Sequence, residues 1–197
     1  MIIRQFPVEI TPGYPLEHKF NTDKIVFFDI ETTGFTAQTT YLYLIGCIYK
    51  DSSDLHMIQW FAEDIKEEVQ IIKNFFEFIK GYDLLVNYNG SGFDIPYLIK
   101  KCELLKLNYS FNNIRNLDLY KMITPIKQIF NLKNFKQKSI ETFLNVRRQD
   151  TLSGGELIED YQSYLGKKRI ENLRKSRNVQ DNGDNTSLET EELLHLI

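Results

Sequence analysis

Two short, almost unbroken apolar runs constrain this chain of 197 residues more than any other feature: KIVFFDI (24–30) and DLLVNY (83–88). A strand with one wet face alternates polar and apolar residues, whereas a strand covered on both faces does not, so each run predicts a central, doubly buried β-strand. Between them, TTYLYLIGCIY (39–49) and LHMIQWFA (55–62) are strand-like and are separated by the polar turn KDSSD, which predicts an antiparallel meander. Ile65, Val69, Ile72, Phe76 and Ile79 then recur at helical spacing, behind Asp64 as a cap and ahead of Gly81 as a stop. A second helix is predicted for IPYLIKKCELLKL, with Pro96 in its first turn. Strand, strand, strand, helix, strand, helix is the order of an α/β fold with a mixed sheet. NNIRNLDLY reads as a last strand, and beyond it the chain is mostly helical, with breaks near 131–138 and at SGG (153–155). The ends read differently: 1–23, with Pro7, Pro12, Gly13 and Pro15, predicts an irregular lead-in, and 176–187 a mobile loop.

Composition removes several alternatives. With 42% hydrophobic and 13% aromatic residues the chain can build a core without staples, which excludes wholesale disorder. Two cysteines, Cys47 and Cys102, are too few for a disulfide framework or a four-cysteine zinc site, and their apolar neighbours predict buried free thiols in a reducing cytoplasm. No apolar run reaches the roughly 18 to 20 residues of a membrane span, so a cytoplasmic protein without membrane contact is expected. The net charge of -3 hides an uneven distribution. Residues 115–148 carry eight basic side chains against two acids, while 178–197 carry five acids and no Lys or Arg. The basic stretch reads either as a phosphate-attracting patch or as a solvated helix face.

Asp29 and Glu31 stand two apart at the end of the first buried run, so their side chains leave one face and can converge. Two carboxylates at such an apolar edge either lie in water beyond the strand end or are joined by a divalent cation. Asp94 follows the second buried run across NGSGF and stands where a helix begins, which suits a helix N-cap as well as a site acid. Adjacent strand ends would bring the three acids together.

On these residues the chain resembles a known family. FDIETTG (28–34) and NYNGSGFDIPYL (87–98) are similar to the first two motifs of the DEDD superfamily of ribonuclease-H-like 3'-5' exonucleases. YLYLIGC (41–47), FAED (61–64), LDLY (117–120), KSIETFL (138–144) and SGGELIEDYQSYL (153–165) narrow the resemblance to the YprB-like ribonuclease-H-like domain, over about 24–197. The resemblance implies a five-stranded mixed sheet flanked by helices, three strands antiparallel and the rest parallel, and a metal-dependent nuclease acting on DNA or RNA 3' ends. It implies Mg2+ or Mn2+, two ions in the complete site, with Asp29, Glu31 and Asp94 as catalytic and metal-binding acids. Hard cations prefer oxygen ligands, which accords with acids rather than His or Cys. By the same resemblance Thr32 and Thr33 would contact the terminal nucleotide and Asn89 would orient the strand. Lys133, Lys136 and Lys138, from the basic stretch, are the candidate backbone contacts, and Phe93 would pack beneath the site.

The third family motif supplies a fourth acid after an apolar helical lead. ETEELLHLI provides the lead and reaches Ile197 without the acid, so weak activity is expected of this chain. Asp181 and Asp184 stand in a polar stretch with nothing to hold them, and His195 lacks the acid that would follow it in the motif. Asp118 reads as a helix N-cap and Asp150 as a loop-stabilising residue. The competing reading is a catalytically silent nucleic-acid-binding module on the same fold, and a protein-interaction domain is a third.

Overall fold

The two apolar runs lie side by side and in parallel at the centre of a six-stranded sheet. In this computed structural model, which describes residues 1–9, 16–52, 54–146 and 152–176, the strands are β1 (Ile2–Pro7), β2 (Ile25–Thr32), β3 (Leu42–Asp51), β4 (Asp54–Phe61), β5 (Leu84–Asn87) and β6 (Arg115–Asp118). Their spatial order is β1-β4-β3-β2-β5-β6. β2, β3 and β4 form the expected antiparallel meander, and β5 and β6 run parallel to β2. The helices are α1 (Glu68–Ile79), α2 (Asp94–Leu104), α3 (Leu119–Ile123), α4 (Gln137–Phe143) and α5 (Gly154–Ser176).

The lead-in and the strand number need correction. Residues 1–23 are not irregular throughout: Ile2–Pro7 forms β1, antiparallel to β4 with Ile2 opposite Phe61 and Pro7 opposite His56, so the sheet has six strands rather than five. The strand alternates half-buried Ile2, Arg4 and Phe6 with exposed Ile3, Gln5 and Pro7, as an edge strand does. Pro7 is tolerated because it ends the strand on the sheet's edge.

Alternation along β2 divides the core. Val26, Phe28 and Ile30 join Tyr43, Ile45 and Cys47 of β3 in the main cluster, against which α1 packs Ile71, Ile72, Phe75, Phe76 and Ile79. Phe28 stacks on Phe75 at 5.4 Å. Each such side chain contributes roughly 1.5–3 kcal/mol by leaving water. Ile25, Leu84 and Val86 form a smaller cluster with Phe20, Phe27 and Leu117. α5 docks through Leu157, Tyr161 and Tyr164, with Tyr161 stacked on Tyr43 at 4.1 Å. It begins inside SGG because Ser153 and Glu156 form a capping box: the Ser153 amide donates to Glu156 Oε2 at 2.6 Å and the Glu156 amide to Ser153 Oγ at 3.4 Å.

Both cysteines are buried, and burial pushes the Cys102 thiol up to about 11 and that of Cys47 well above its usual range. No helix among the described residues is long and apolar enough to cross a membrane. Ser176, the first residue of the expected mobile loop, still lies in α5. The rest of that stretch, with Asp181, Asp184 and ETEELLHLI, lies outside the described residues, as do Arg147, Arg148 and Asp150.

Candidate metal-binding carboxylate site

Because β2 and β5 are parallel neighbours, with Phe27 opposite Val86, their carboxy ends open at one place. Asp29 and Glu31 leave the same face of β2, and a register shift between Glu31 and Thr32 ends the regular pairing with β3 there. From β5 the chain turns through 88–93 and enters α2 at Asp94. Phe93 occupies the N-cap position and Asp94 is the first helical residue, so Asp94 is not the cap that its sequence position suggested.

The 88–93 turn is built by its neighbours. Asp118, at the end of β6, accepts from the Asn89 amide at 2.9 Å and the Ser91 amide at 3.1 Å, and it also caps α3 through the amides of Tyr120 and Lys121. Burial opposes ionisation of Asp118, but these hydrogen bonds outweigh it and hold the carboxyl below its usual range. Asn87 Oδ1 accepts from the Gly90 amide at 2.9 Å, so closely that a Cβ on Gly90 would lie 2.5 Å from Asn87 Cγ. Asn89 itself has φ +63, a region that Asn enters more readily than most residues.

The result is a pair of facing carboxyls with a third beside them. Asp29 and Asp94 lie within hydrogen-bonding reach of each other, and Glu31 lies within the field of both. Asp94 is buried, Glu31 half-buried and Asp29 exposed, although protein atoms surround its carboxyl closely enough to disfavour its charge. Crowding first, then the charges of Asp94 and Glu31, push the Asp29 carboxyl well above its usual range. Burial, then the Asp94 charge, pushes Glu31 up to about 7. Burial also raises Asp94, against hydrogen bonds from its own amide, from Asp29 and from the Ile30 amide. Acids that hold protons against one another in this way are what a cation would relieve. Among the described residues no three His, Cys, Asp or Glu side chains converge into a ready-made ligand cage. What fits a hard divalent ion is the chemistry of the donors, all carboxylate oxygens, arranged as a facing pair with Glu31 alongside.

The remaining candidates fall in different places. The Thr32 hydroxyl donates to Gly34 O at 2.8 Å and the Thr33 hydroxyl accepts from the Tyr41 amide at 2.9 Å, so both hydroxyls close the turn after β2. Asn89 is exposed beside the site, with its Oδ1 folded over Gly92. Phe93 packs edge-on against Phe35 at 5.8 Å and also against Tyr97. Phe35, which the sequence did not single out, is 88% exposed at the site's rim. Lys133 and Lys136 are exposed on a segment tied to the site, since the Tyr88 hydroxyl donates to Phe135 O at 2.6 Å. Lys138 is also exposed but turns to Leu152 O at 2.9 Å.

A family model described as the RNase_H superfamily matches residues 26–178. The chain belongs to the RNase_H superfamily. The matched span takes in β2, α5 and the three candidate acids, Asp29, Glu31 and Asp94. Among curated relatives, a DNA polymerase of Thermococcus hydrothermalis is 32% identical over 98 residues, covering 44% of this chain and 6% of the relative. A DNA polymerase of Pyrococcus glycovorans is 34% identical over 91 residues, covering 42% of this chain and 12% of the relative. The chain thus spans a small part of the relatives it matches. Among solved structures, the family B DNA polymerase of Pyrobaculum calidifontis shares the RNase_H-like fold with a TM-score of 0.58 at 19% identity, over 86% of this chain and 24% of that one.

Proposed function

We propose that the chain is a metal-dependent nuclease, a 3'-5' exonuclease of the DEDD type that hydrolyses phosphodiester bonds of DNA or RNA with Mg2+ or Mn2+. The observation that carries this reading is the meeting of Asp29 on β2 and Asp94 at the start of α2, where the parallel neighbours β2 and β5 run out, with Glu31 in their field. Membership of the RNase_H superfamily and partial likeness to DNA polymerases support nucleic acid as the partner. When bound, two divalent ions would supply an activated water and neutralise charge on the scissile phosphate and the leaving 3' oxygen. Asp29, Glu31 and Asp94 are the residues that would hold them.

The chain's own residues do the rest. Asp118 and Asn87 hold the 88–93 turn, and so fix where Asp94 begins α2. Phe35, exposed and backed by Phe93, offers a π-face on which a terminal base can stack. With the hydroxyls of Thr32 and Thr33 engaged internally, that turn would meet the nucleotide through its backbone, and the exposed Asn89 would orient the strand. Lys133 and Lys136 would attract phosphates of the incoming strand, with Lys138 at the edge of the same basic stretch.

Incubation with end-labelled single-stranded DNA and RNA should release nucleotides only when Mg2+ or Mn2+ is present. Asp29→Ala and Asp94→Ala should each abolish release, and cleavage at the parent rate by both variants would overturn the site. A second reading is a catalytically silent nucleic-acid-binding module. It is favoured by the absence of a three-acid cage among the described residues, and on it binding would survive chelation.

A further inference from the structure

The turn that carries Phe35 leaves the sheet after Glu31 and Thr32 and rejoins it at Leu42. It is mostly exposed, yet its far end is anchored to a buried ion pair. Lys101 Nζ on α2 lies 2.8 Å from Glu68 Oε1 on α1, with both side chains 6% exposed. Lys101 also donates to Thr40 O at 2.5 Å and lies over the rings of Tyr41 and Tyr97. Glu68 Oε1 accepts from the Leu42 amide at 2.7 Å. The pair thereby grips the backbone on both sides of Tyr41.

Thr40 carries the constraint across the turn. Its hydroxyl lies 3.2 Å from Gly34 O and 3.0 Å from the Tyr97 hydroxyl. Its methyl group presses on Gly34, where a Cβ would lie 2.8 Å away, and Gly34 has φ +155. Thr33 completes the clamp, its amide donating to Tyr41 O at 2.8 Å while its hydroxyl accepts from the Tyr41 amide. An unbroken line of contacts therefore runs from the ion pair to Gly34, the residue before Phe35.

A buried ion pair is poor evidence for stability, because desolvating two charges costs about as much as their attraction returns, and packed apolar side chains would serve as well. Apolar side chains could not donate to Thr40 O or accept from the Leu42 amide. We propose that Glu68 and Lys101 are positioning residues: together they hold the 33–41 turn so that Phe35 stands at the rim of the carboxylate site. For its substrate readout the inference rests on the nuclease reading, in which Phe35 meets a terminal base.

The test uses the full chain and the double variant Glu68→Leu/Lys101→Met, which removes both charges without stranding one and takes away the acceptor for the Leu42 amide together with the donor to Thr40 O. Amide hydrogen exchange at Thr33 and Tyr41 should quicken about tenfold in the folded double variant, while exchange at Val26 and Cys47 stays at the parent rate. Binding of a fluorescent single-stranded oligodeoxynucleotide in Ca2+ gives the second readout. Phe35→Ala should weaken it about tenfold in the parent and have no further effect in the double variant, while Lys101→Arg should retain parent behaviour. Should the double variant not fold, Thr40→Val cuts the link to Gly34 with the ion pair intact and is read the same way. Unchanged exchange at Thr33 and Tyr41, or an equal Phe35→Ala cost in both backgrounds, overturns the positioning role. Failure of the oligonucleotide to bind the parent overturns the functional reading instead, and exchange alone then decides the role of the pair.

Discussion

In the metal-free chain, Glu31 keeps its proton to about pH 7 because burial and the Asp94 charge disfavour the anion, against an ordinary value of 4.5. Between those two values the folded chain binds more protons at this site than the unfolded chain, so stability falls as pH rises through the window and does not return above it. Thermal denaturation without divalent ions should show a steeper decline from pH 5 to 7.5 in the parent than in Glu31→Gln, and Mg2+ should raise the parent's midpoint more at pH 7.5 than at pH 5. Equal slopes in the two proteins would remove Glu31 from the cluster. Gly90 is a second sensitive position. A Cβ there would strike Asn87, so Gly90→Ala should cost about 1–3 kcal/mol in urea denaturation, with Asp94 displaced. The three acids were legible in sequence because each follows an apolar run. Phe35 was not, since nothing local marks one aromatic as outward-facing. Asp118 was legible as a helix cap, whereas its grip on Asn89 and Ser91 depends on the β5–β6 register.

At the scale of elements, α5 illustrates how a break in sequence can be the start of a helix. SGG reads as an interruption, but Ser153 and Glu156 satisfy each other's amides and the two glycines fall in the first turn. Ser153→Ala should cost about 1 kcal/mol. Among the described residues, the Tyr43 and Tyr161 hydroxyls are buried without a hydrogen-bond partner, while their rings stack. Tyr43→Phe and Tyr161→Phe should therefore leave stability unchanged or raise it by up to about 1 kcal/mol, measured by denaturant midpoint. A loss above that range in both would reveal a partner for the hydroxyls. β1 escaped the sequence reading because it buries none of its residues fully, alternating half-buried with exposed positions, and ends at a proline. The Glu68–Lys101 pair escaped it too: Lys101 stands in a KKC run of a helix, and only tertiary contacts with Glu68, Thr40 and Tyr41 withdraw it from water.

Over the whole molecule, the described residues divide into a buried α/β body and the 119–146 segment, none of whose residues is buried. That segment holds a small aromatic cluster of Phe130, Phe135 and Phe143, and it exposes Met122, Ile129 and Leu144 beside Lys121, Lys127, Lys133 and Lys136. Cations interleaved with apolar groups suit an unpaired strand, which offers phosphates and bare bases together. Oligonucleotide affinity should fall steeply with salt, and Lys133→Glu/Lys136→Glu should weaken binding at low salt by about tenfold or more and flatten the salt slope. Binding that ignores salt would assign this face to another partner. The buried cysteines have a practical consequence of another kind. With both thiols shielded and held protonated, a maleimide at neutral pH would pass over them, so a cysteine placed at the rim of the cleft would become a single addressable handle for a dye or spin label on the native fold.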